Sequence, residues 1–145
     1  MKVGIIGSGG REQSLCEALS KSKKISKIYC FPGNAGTQKI AENVDINIDD
    51  FEMLKKFIIS KKIELIVVGP EKPLVEGIVD FFENNNIPIF GPNKLASQLE
   101  GSKIFTKKIC DKYKIPTAKF GIFENINKAK LFLNNTKFPM EIGRT

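Results

Sequence analysis

Three short glycine-bearing segments stand where an apolar strand pattern ends, and they are the residues best suited to bind a ligand. They cover positions 7–12, 32–36 and 69–71. Glycine lets the backbone approach a ligand closely, and the free N–H groups of a helix N-terminus suit a phosphate. Arg11, beside the glycines of the first segment, adds a forked cation for the same anion. The predicted binding residues are Gly7, Gly9, Gly10, Arg11, Glu12, Pro32, Gly33, Asn34, Ala35, Gly36, Gly69, Pro70 and Glu71.

The same residue types also occur in tight turns with a purely structural purpose, because a turn from a strand into a helix often requires glycine. Three such loops at one edge of a sheet favour a ligand site over unrelated turns. Asn34 and Glu71 then offer hydrogen bonds to a hydroxyl or an amine. Glu71 is also explained as a surface carboxylate or as a dipole partner for the helix that follows it.

The first loop fits a dinucleotide poorly. The fingerprint G-x-G-x-x-G requires glycine at the position of Glu12, and it requires an acidic residue about 20 positions further on to hold the ribose. No Asp or Glu lies between Glu17 and Glu42. A single phosphate with a sugar attached therefore fits better than NAD, and a nicotinamide-dependent oxidoreductase is the weaker alternative.

The composition excludes several other chemistries. The 145 residues contain no histidine, which excludes a Ser-His-Asp triad, a Cys-His pair and a His-ligated metal. Cys16, Cys30 and Cys110 lack a C-x-x-C spacing and are predicted to be free thiols in a reducing compartment. The net charge of +7 comes almost entirely from scattered lysines, since Arg11 and Arg144 are the only arginines. We therefore expect no nucleic-acid partner, and a Lys-rich nucleic-acid binder is a weak alternative.

The longest apolar runs are too short for a membrane span. The runs at 3–7 and 65–70 have the length of strands, whereas a span requires roughly 20 apolar residues. The first run stops at Gly7 and does not have the form of a signal peptide. We therefore expect a cytoplasmic protein without a membrane partner.

The hydrophobic pattern alternates between strands and helices up to Phe90, which predicts an α/β fold with a Rossmann-like, doubly wound parallel sheet. The predicted strands are 2–7, 25–31, 44–48, 64–69 and 87–90. The predicted helices are 10–22, one capped by Asp49 or Asp50, and one with Pro73 as its first residue. The residues expected to face the core from these helices are Leu15, Ala18, Leu19, Phe51, Leu54, Phe57, Ile58, Leu74, Ile78 and either Phe81 or Phe82.

The pattern changes after Gly91. It predicts helices at 93–99 and 102–113, a strand at 119–123, and a helix capped by Asn125. We place a domain boundary near residue 100, which gives a first domain over 1–99 and the start of a second over 100–145.

Six blocks in order give the sequence a specific resemblance. It resembles the N-terminal portion of the phosphoribosylamine–glycine ligase (glycinamide ribonucleotide synthetase) family, in the ATP-grasp superfamily. The blocks are K-V-G-I-I-G-S-G-G-R-E at 2–12, F-P-G-N-A-G-T at 31–37, V-V-G-P-E-K-P-L-V-E-G at 67–77, I-F-G-P at 89–92, L-E-G-S-K-I-F-T-K at 99–107 and I-P-T-A at 115–118.

The resemblance implies an ATP-dependent carbon–nitrogen ligase of purine biosynthesis. Such an enzyme joins glycine to 5-phosphoribosylamine through an acyl phosphate, with ATP and Mg²⁺ as cofactors. The first domain would be the pre-ATP-grasp domain that holds the phosphoribosyl substrate, followed by the first elements of an incomplete ATP-grasp domain. Lys103 would contact ATP phosphates, and an exposed lysine in a first helical turn is the structural alternative. A cation in that turn opposes the helix dipole, which favours the functional interpretation. The substrate contacts implied are Gly9, Gly10 and Arg11 at the phosphate and Asn34, Gly36 and Glu71 at the ribosyl amine.

Two departures from the family pattern carry consequences. Gln13 replaces a usual histidine, which we expect to tune the site because Gln still forms hydrogen bonds. Gly143 stands where the family has an ATP-binding lysine. We therefore expect a fragment without catalytic or metal-binding residues of its own, which binds the phosphoribosyl substrate but is inactive alone. A stand-alone sugar-phosphate-binding module without catalysis is the alternative.

The apolar residues after position 100 lack an evident core in the sequence. We expect them to favour either self-association through an exposed apolar surface or disorder near the C-terminus. These residues are Ile104, Phe105, Ile109, Phe120, Phe123 and Phe132.

Overall fold

The computed structural model describes residues 1–137 and 139–143, so Arg144 lies outside the described residues. The chain divides into two compact units, Met1–Ser97 and Gln98–Thr145. The assignment of these units to the predicted domains stays a prediction.

The first unit is built on a five-stranded, fully parallel sheet in the order β3-β2-β1-β4-β5. Consecutive strands run outward from β1 to one edge and from β4 to the other, so the topology switches direction between β1 and β4. The predicted α/β fold with a doubly wound parallel sheet is confirmed. The strands are β1 (Lys2–Gly7), β2 (Lys27–Pro32), β3 (Glu42–Asn43), β4 (Leu65–Val68) and β5 (Ile89–Phe90).

Helices cover both faces of this sheet, which is why β1 and β4 consist almost entirely of apolar residues. One face packs Val3, Ile5 and Cys30 against Cys16 of the first helix. The other face packs a larger set of buried side chains from β1, β2 and β4 against the three helices that lie between residues 51 and 84. The helices are α1 (Gly10–Ser20), α2 (Phe51–Lys61), α3 (Glu71–Glu76), α4 (Ile78–Asn84) and α5 (Lys94–Gly101).

Three local predictions for this unit are wrong. Ala18 is exposed, because α1 turns Glu12 and Cys16, four residues apart, toward the sheet. Residues 44–48 are not a strand; pairing with β2 ends at Asn43, and the apolar side chains after it pack against the core from an irregular segment. The predicted single helix from Pro73 is two helices. It begins at Glu71 and is interrupted at Gly77, whose φ of 100° lies in the left-handed region.

The second unit contains α6 (Lys103–Tyr113) and α7 (Ile126–Asn134), with the side chains of Ser102 and Asn125 as N-caps. The strand predicted at 119–123 is not formed, since no neighbouring strand pairs with it in the described part of the chain. Among the described residues after Ser97, none is buried. Phe120 and Phe123 are 37% and 40% exposed, whereas Ile104, Phe105, Ile109 and Phe132 are partly exposed.

None of the helices in residues 1–137 and 139–143 combines the length and the apolar character that crossing a bilayer requires.

Candidate anion-binding site

A cavity of about 380 Å³ opens at the carboxyl ends of β1 and β4, where the sheet topology switches direction. In open parallel sheets this position is the usual place for a ligand. The backbone holds the loops side by side: Gly69 N–H donates to Ile6 O at 3.0 Å, and Gly33 N–H donates to Gly7 O at 3.1 Å. The residues lining the cavity are Gly7, Ser8, Gly9, Gly10, Arg11, Glu12, Ile48, Pro70 and Glu71.

The N-terminus of α1 contributes open hydrogen-bond donors to this cavity. Gly9 is the N-cap of α1 and has no side chain with which to accept a hydrogen bond. As a result, the backbone N–H groups of Gly10, Arg11 and Glu12 find no acceptor within the described residues. Such unsatisfied donors, together with the positive end of the helix dipole, stabilise a bound anion.

Glu12 lies beneath the glycine-rich loop as a buried carboxylate, only 4% exposed. Its Oε2 accepts a hydrogen bond from Gly9 N–H at 2.5 Å. A Cβ at Gly7 would lie 2.7 Å from this side chain, and a Cβ at Gly9 would lie 2.9 Å from it. Gly7 also has a φ of 125°, so glycine is required there for two reasons.

Arg11 connects the first loop to the third. Its Nη1 donates to Gly69 O at 2.6 Å, while the side chain remains exposed at the rim of the cavity. A guanidinium carries five N–H donors in a fixed fork, so this one bond leaves others for an anion.

The second loop supports the first and does not line the cavity. All four hydrogen-bonding positions of the Asn34 side chain are used inside the protein. Nδ2 donates to Ser8 O at 2.9 Å and to Gly9 O at 3.1 Å, and Oδ1 accepts from the N–H groups of Gly36 and Thr37. The Asn34 side chain therefore has no hydrogen-bonding position open to a substrate in this arrangement, although a direct contact was expected.

The remaining predicted residues lie in the second and third loops, and Gln13 lies on α1. Glu71 is exposed, begins α3 and lines the cavity beside Pro70. Gln13 packs over Gly36, where a Cβ would overlap with its amide, and its Nε2 donates to Glu17 Oε1 at 3.2 Å. Pro32, Gly33 and Ala35 are absent from the cavity wall with the rest of their loop.

Two cavity residues were not among the predicted binding residues. Ser8 lies between the glycines of the first loop and lines the cavity. Its position between two predicted binding residues was enough to predict it as a binding residue. Ile48 contributes an apolar wall and also packs against the core. The alternation of Val44, Ile46 and Ile48 with polar residues predicted a strand. For that reason Ile48 was not predicted to line a cavity.

The three cysteines are free thiols, as predicted, and two of them, on α1 and β2, are buried in the core of the first unit. The Sγ atoms of Cys16 and Cys30 are 3.7 Å apart and fully buried. Burial raises the pKa of the Cys30 thiol to about 12 and also raises the pKa of the Cys16 thiol. Thiols in this environment remain protonated at neutral pH and are poor nucleophiles.

The second unit contains the residue predicted for ATP. Lys103 is the first residue of α6, and its exposed Nζ lies 3.3 Å from Glu141 Oε1. Within the described part of the chain, no group of three or more His, Cys, Asp or Glu side chains gathers where it would hold a metal ion.

Comparison with known proteins agrees with this architecture. The family described as "Phosphoribosylglycinamide synthetase, N domain" matches residues 1–100. The "Phosphoribosylamine--glycine ligase" of Caldanaerobacter subterraneus subsp. tengcongensis is 49% identical over 142 residues, which are 98% of this chain and 34% of that protein. The crystal structure of phosphoribosylamine–glycine ligase from Thermotoga maritima superposes with a TM-score of 0.68 at 29% identity and covers 94% of this chain and 31% of that one.

A more distant structure shares the fold alone. It is the biotin carboxylase domain of the Hydrogenobacter thermophilus 2-oxoglutarate carboxylase, solved in complex with MgADP, with a TM-score of 0.68 at 20% identity over 95% of this chain and 33% of that one. ATP-grasp enzymes use ATP and Mg²⁺ in general.

The fold and the loops at its switch point define a Rossmann-like domain of the kind found in the ATP-grasp superfamily. More specifically, the chain belongs to the phosphoribosylglycinamide synthetase N-domain family. The predicted family resemblance is confirmed. The chain spans about a third of the length of the curated relatives that it matches.

Proposed function

We propose that the first unit binds the phosphoribosyl group of 5-phosphoribosylamine, with the phosphate at the N-terminus of α1. The observation that carries this proposal is the set of three backbone N–H groups, at Gly10, Arg11 and Glu12, that have no acceptor among the described residues and border the cavity. Arg11 supplies the neutralising cation, and the exposed carboxylate of Glu71 accepts hydrogen bonds from the ribosyl amine. The names of the relatives support the choice of substrate.

In the complete enzyme we infer the reaction of a phosphoribosylamine–glycine ligase, in which glycine is joined to the substrate amine. ATP supplies the phosphoryl group that activates the glycine carboxylate. Lys103 would contact the ATP phosphates, and its place in the first turn of α6, where a cation opposes the helix dipole, supports that role. The described residues offer no carboxylate group suited to Mg²⁺, so we assign the ion to no residue of this chain. The 145-residue chain alone is therefore expected to show no glycine-dependent ATP turnover.

The test is a calorimetric titration of the chain with glycinamide ribonucleotide, the stable product, and with ribose 5-phosphate. NAD and ATP serve as parallel controls. We expect both phosphoribosyl compounds to bind and Arg11→Ala to weaken their binding by about 10–100-fold. A well-folded sample that binds NAD instead, or that binds neither phosphoribosyl compound, contradicts the proposal.

We further propose that the exposed apolar side chains of the second unit bring two copies of this chain together in the cytoplasm. Ile126 and Leu131 are 69% and 64% exposed, which supports such a contact. Light scattering is expected to give a mass that rises with concentration, and Ile126→Lys is expected to shift it toward the monomer. A monomeric mass at all concentrations contradicts this proposal.

A further inference from the structure

The Asn34 amide is the point at which the second loop holds the glycine-rich loop. Both hydrogens on its Nδ2 go to carbonyl groups of that loop, at Ser8 and Gly9, 26 and 25 residues away in the sequence. Its Oδ1 caps its own loop by accepting from Gly36 N–H at 2.7 Å and from Thr37 N–H at 3.0 Å. No hydrogen-bonding position of this amide remains for a ligand.

The position of Asn34 is in turn fixed from the sheet. Asn43 belongs to β3, pairs with Cys30 of β2, and donates from Nδ2 to Asn34 O at 2.8 Å. The fully buried Thr37 hydroxyl accepts from Asn34 N–H at 2.7 Å and lies 2.8 Å from Asn43 Oδ1. A chain of hydrogen bonds therefore runs from the sheet edge through Asn43 and Asn34 to the loop after β1.

The consequence for the loop follows from the planarity of the peptide bond. In a trans peptide unit the C=O and the following N–H point in opposite directions. Gly9 C=O is directed at Asn34 and also accepts the first hydrogen bond of α1, from Gln13 N–H at 3.2 Å, so Gly10 N–H of the same peptide points away from Asn34. With Ser8 C=O directed at Asn34, Gly9 N–H points away as well, and Glu12 Oε2 receives it. Gly10 N–H is one of the three open donors that border the cavity.

We propose that Asn34 is a positioning residue, which orients the peptide between Gly9 and Gly10 so that Gly10 N–H is presented to a bound phosphate. This inference rests on the proposed function and deepens it, because it replaces a direct substrate contact by Asn34 with an action through the loop. Glu12 holds the peptide between Ser8 and Gly9 from its N–H side, so the loop is fixed from two directions.

Asn34→Asp tests this with the least change of shape. It keeps an acceptor for Gly36 and Thr37 and places an oxygen opposite two carbonyl groups. Asn34→Ala removes the same donors without adding a charge. Asn85→Asp is the matched control, because it makes the same chemical change at an exposed amide whose hydrogen-bond partners are Phe81 O and Lys55 Nζ, outside the three loops.

Two measurements decide the matter: calorimetric titration with ribose 5-phosphate, and ¹⁵N–¹H spectra of the free proteins. We expect both Asn34 variants to bind at least about tenfold more weakly, as for a misaligned hydrogen bond to a charged group. We also expect them to move the Gly10 amide resonance before any ligand is added. Asn85→Asp is expected to change affinity by less than about threefold, since it adds the same charge away from the loops, where salt screens it.

The proposal is overturned if both Asn34 variants bind as the unmodified chain does, or if Asn85→Asp weakens binding equally. Should Asn34→Ala fail to fold, Asn34→Asp decides, since it retains the capping acceptor. If the unmodified chain binds no ribose 5-phosphate, the proposed function fails separately, and the Gly10 resonance still answers the question about Asn34. A Gly10 resonance unmoved by Asn34→Asp overturns the positioning role in that case too.

Discussion

The carboxylate of Glu12 lies directly against the α-carbon of Gly69, so that a methyl group at Gly69 would overlap with it. These residues belong to two different loops, after β1 and after β4, at the switch point of the sheet. Because Glu12 is buried and bonded to Gly9 N–H, its side chain is not free to move aside without losing that bond. The contact therefore sets the distance between the two loops that form the cavity.

Gly69→Ala is expected to lower the free energy of unfolding by about 1–3 kcal/mol, the usual cost of overpacking a filled site. Gly10→Ala is the matched control, since a Cβ there meets no atom within 4 Å. We expect that change to be neutral or to stabilise the chain by up to about 1 kcal/mol, because alanine favours the helix. Urea unfolding of both variants measures the difference.

A third variant isolates the clash from other effects of the substitution. Combining Gly69→Ala with Glu12→Ala removes the overlapping side chain, so the double variant is expected to be more stable than the sum of the two single losses predicts. Strict additivity, or a Gly69→Ala variant as stable as the unmodified chain, would show that Glu12 does not hold the loops apart.

Arg11 is expected to contribute through its geometry as well as its charge. Arg11→Ala should weaken ribose 5-phosphate binding by about 10–100-fold, the range for a hydrogen bond to a charged group. Arg11→Lys should recover only part of the loss, because one ammonium does not bond both Gly69 O and the phosphate as a fork does. Titration calorimetry measures both variants.

Lys72→Ala provides the charge control for Arg11. Lys72 is exposed and paired with Asp49 and Glu76, and its removal changes the net charge of the chain by the same amount. We expect its effect on binding to remain within about twofold, since exposed charges are screened by salt. Equal losses for Lys72→Ala and Arg11→Ala would mean that only the overall charge of this face matters.

The sheet and the edge at which the cavity opens were predictable because their determinants are local. The unbroken apolar run from Leu65 to Val68, three of whose four residues are β-branched, indicates a strand covered on both faces, and the glycines after β1 mark the loop that reaches a helix. Parallel topology then brings the loops to one edge by a general rule. These features require no knowledge of which side chains meet across the fold.

The roles of individual polar side chains were not predictable in the same way. Whether Asn34 faces a ligand or a carbonyl depends on how two loops 25 residues apart close on each other. The burial of Glu12 depends on the small size of Gly69, which lies 57 positions away in the sequence. The strand expected at 119–123 failed for a related reason, since a strand requires a neighbour that the local pattern does not reveal.

The buried thiol of Cys30 is expected to make stability fall at high pH. Its pKa is raised to about 12 by burial, whereas an unfolded cysteine titrates near about 8.5. Since the folded pKa is the higher one, its contribution to stability is complete below about pH 8.5 and is lost as pH rises toward 12. The added slope is at most about 1.4 kcal/mol per pH unit for one thiol.

Denaturant unfolding of the unmodified chain and of Cys30→Ala between pH 8 and pH 11 measures this slope. Lysines and tyrosines titrate in both proteins, so the difference between the two slopes reports on the thiol. We expect Cys30→Ala to give the flatter profile whatever its absolute stability. Parallel profiles for Cys30→Ala and the unmodified chain would refute the expectation.

The N-terminus of α2 offers a comparison between two adjacent carboxylates, either of which the sequence allowed as the cap. Asp50 Oδ1 accepts from Met53 N–H at 2.9 Å, whereas Asp49 forms an exposed ion pair with Lys72 at 2.6 Å. Asp50→Ala should therefore cost about 1 kcal/mol of stability, and Asp49→Ala about 0–0.5 kcal/mol. Thermal unfolding should show a Tm lowered on the order of 4 °C for the first and little change for the second. Asp50→Ser should restore most of the loss, because a hydroxyl also caps the helix. A larger loss from Asp49→Ala than from Asp50→Ala would mean that Asp49, and not Asp50, is the N-cap.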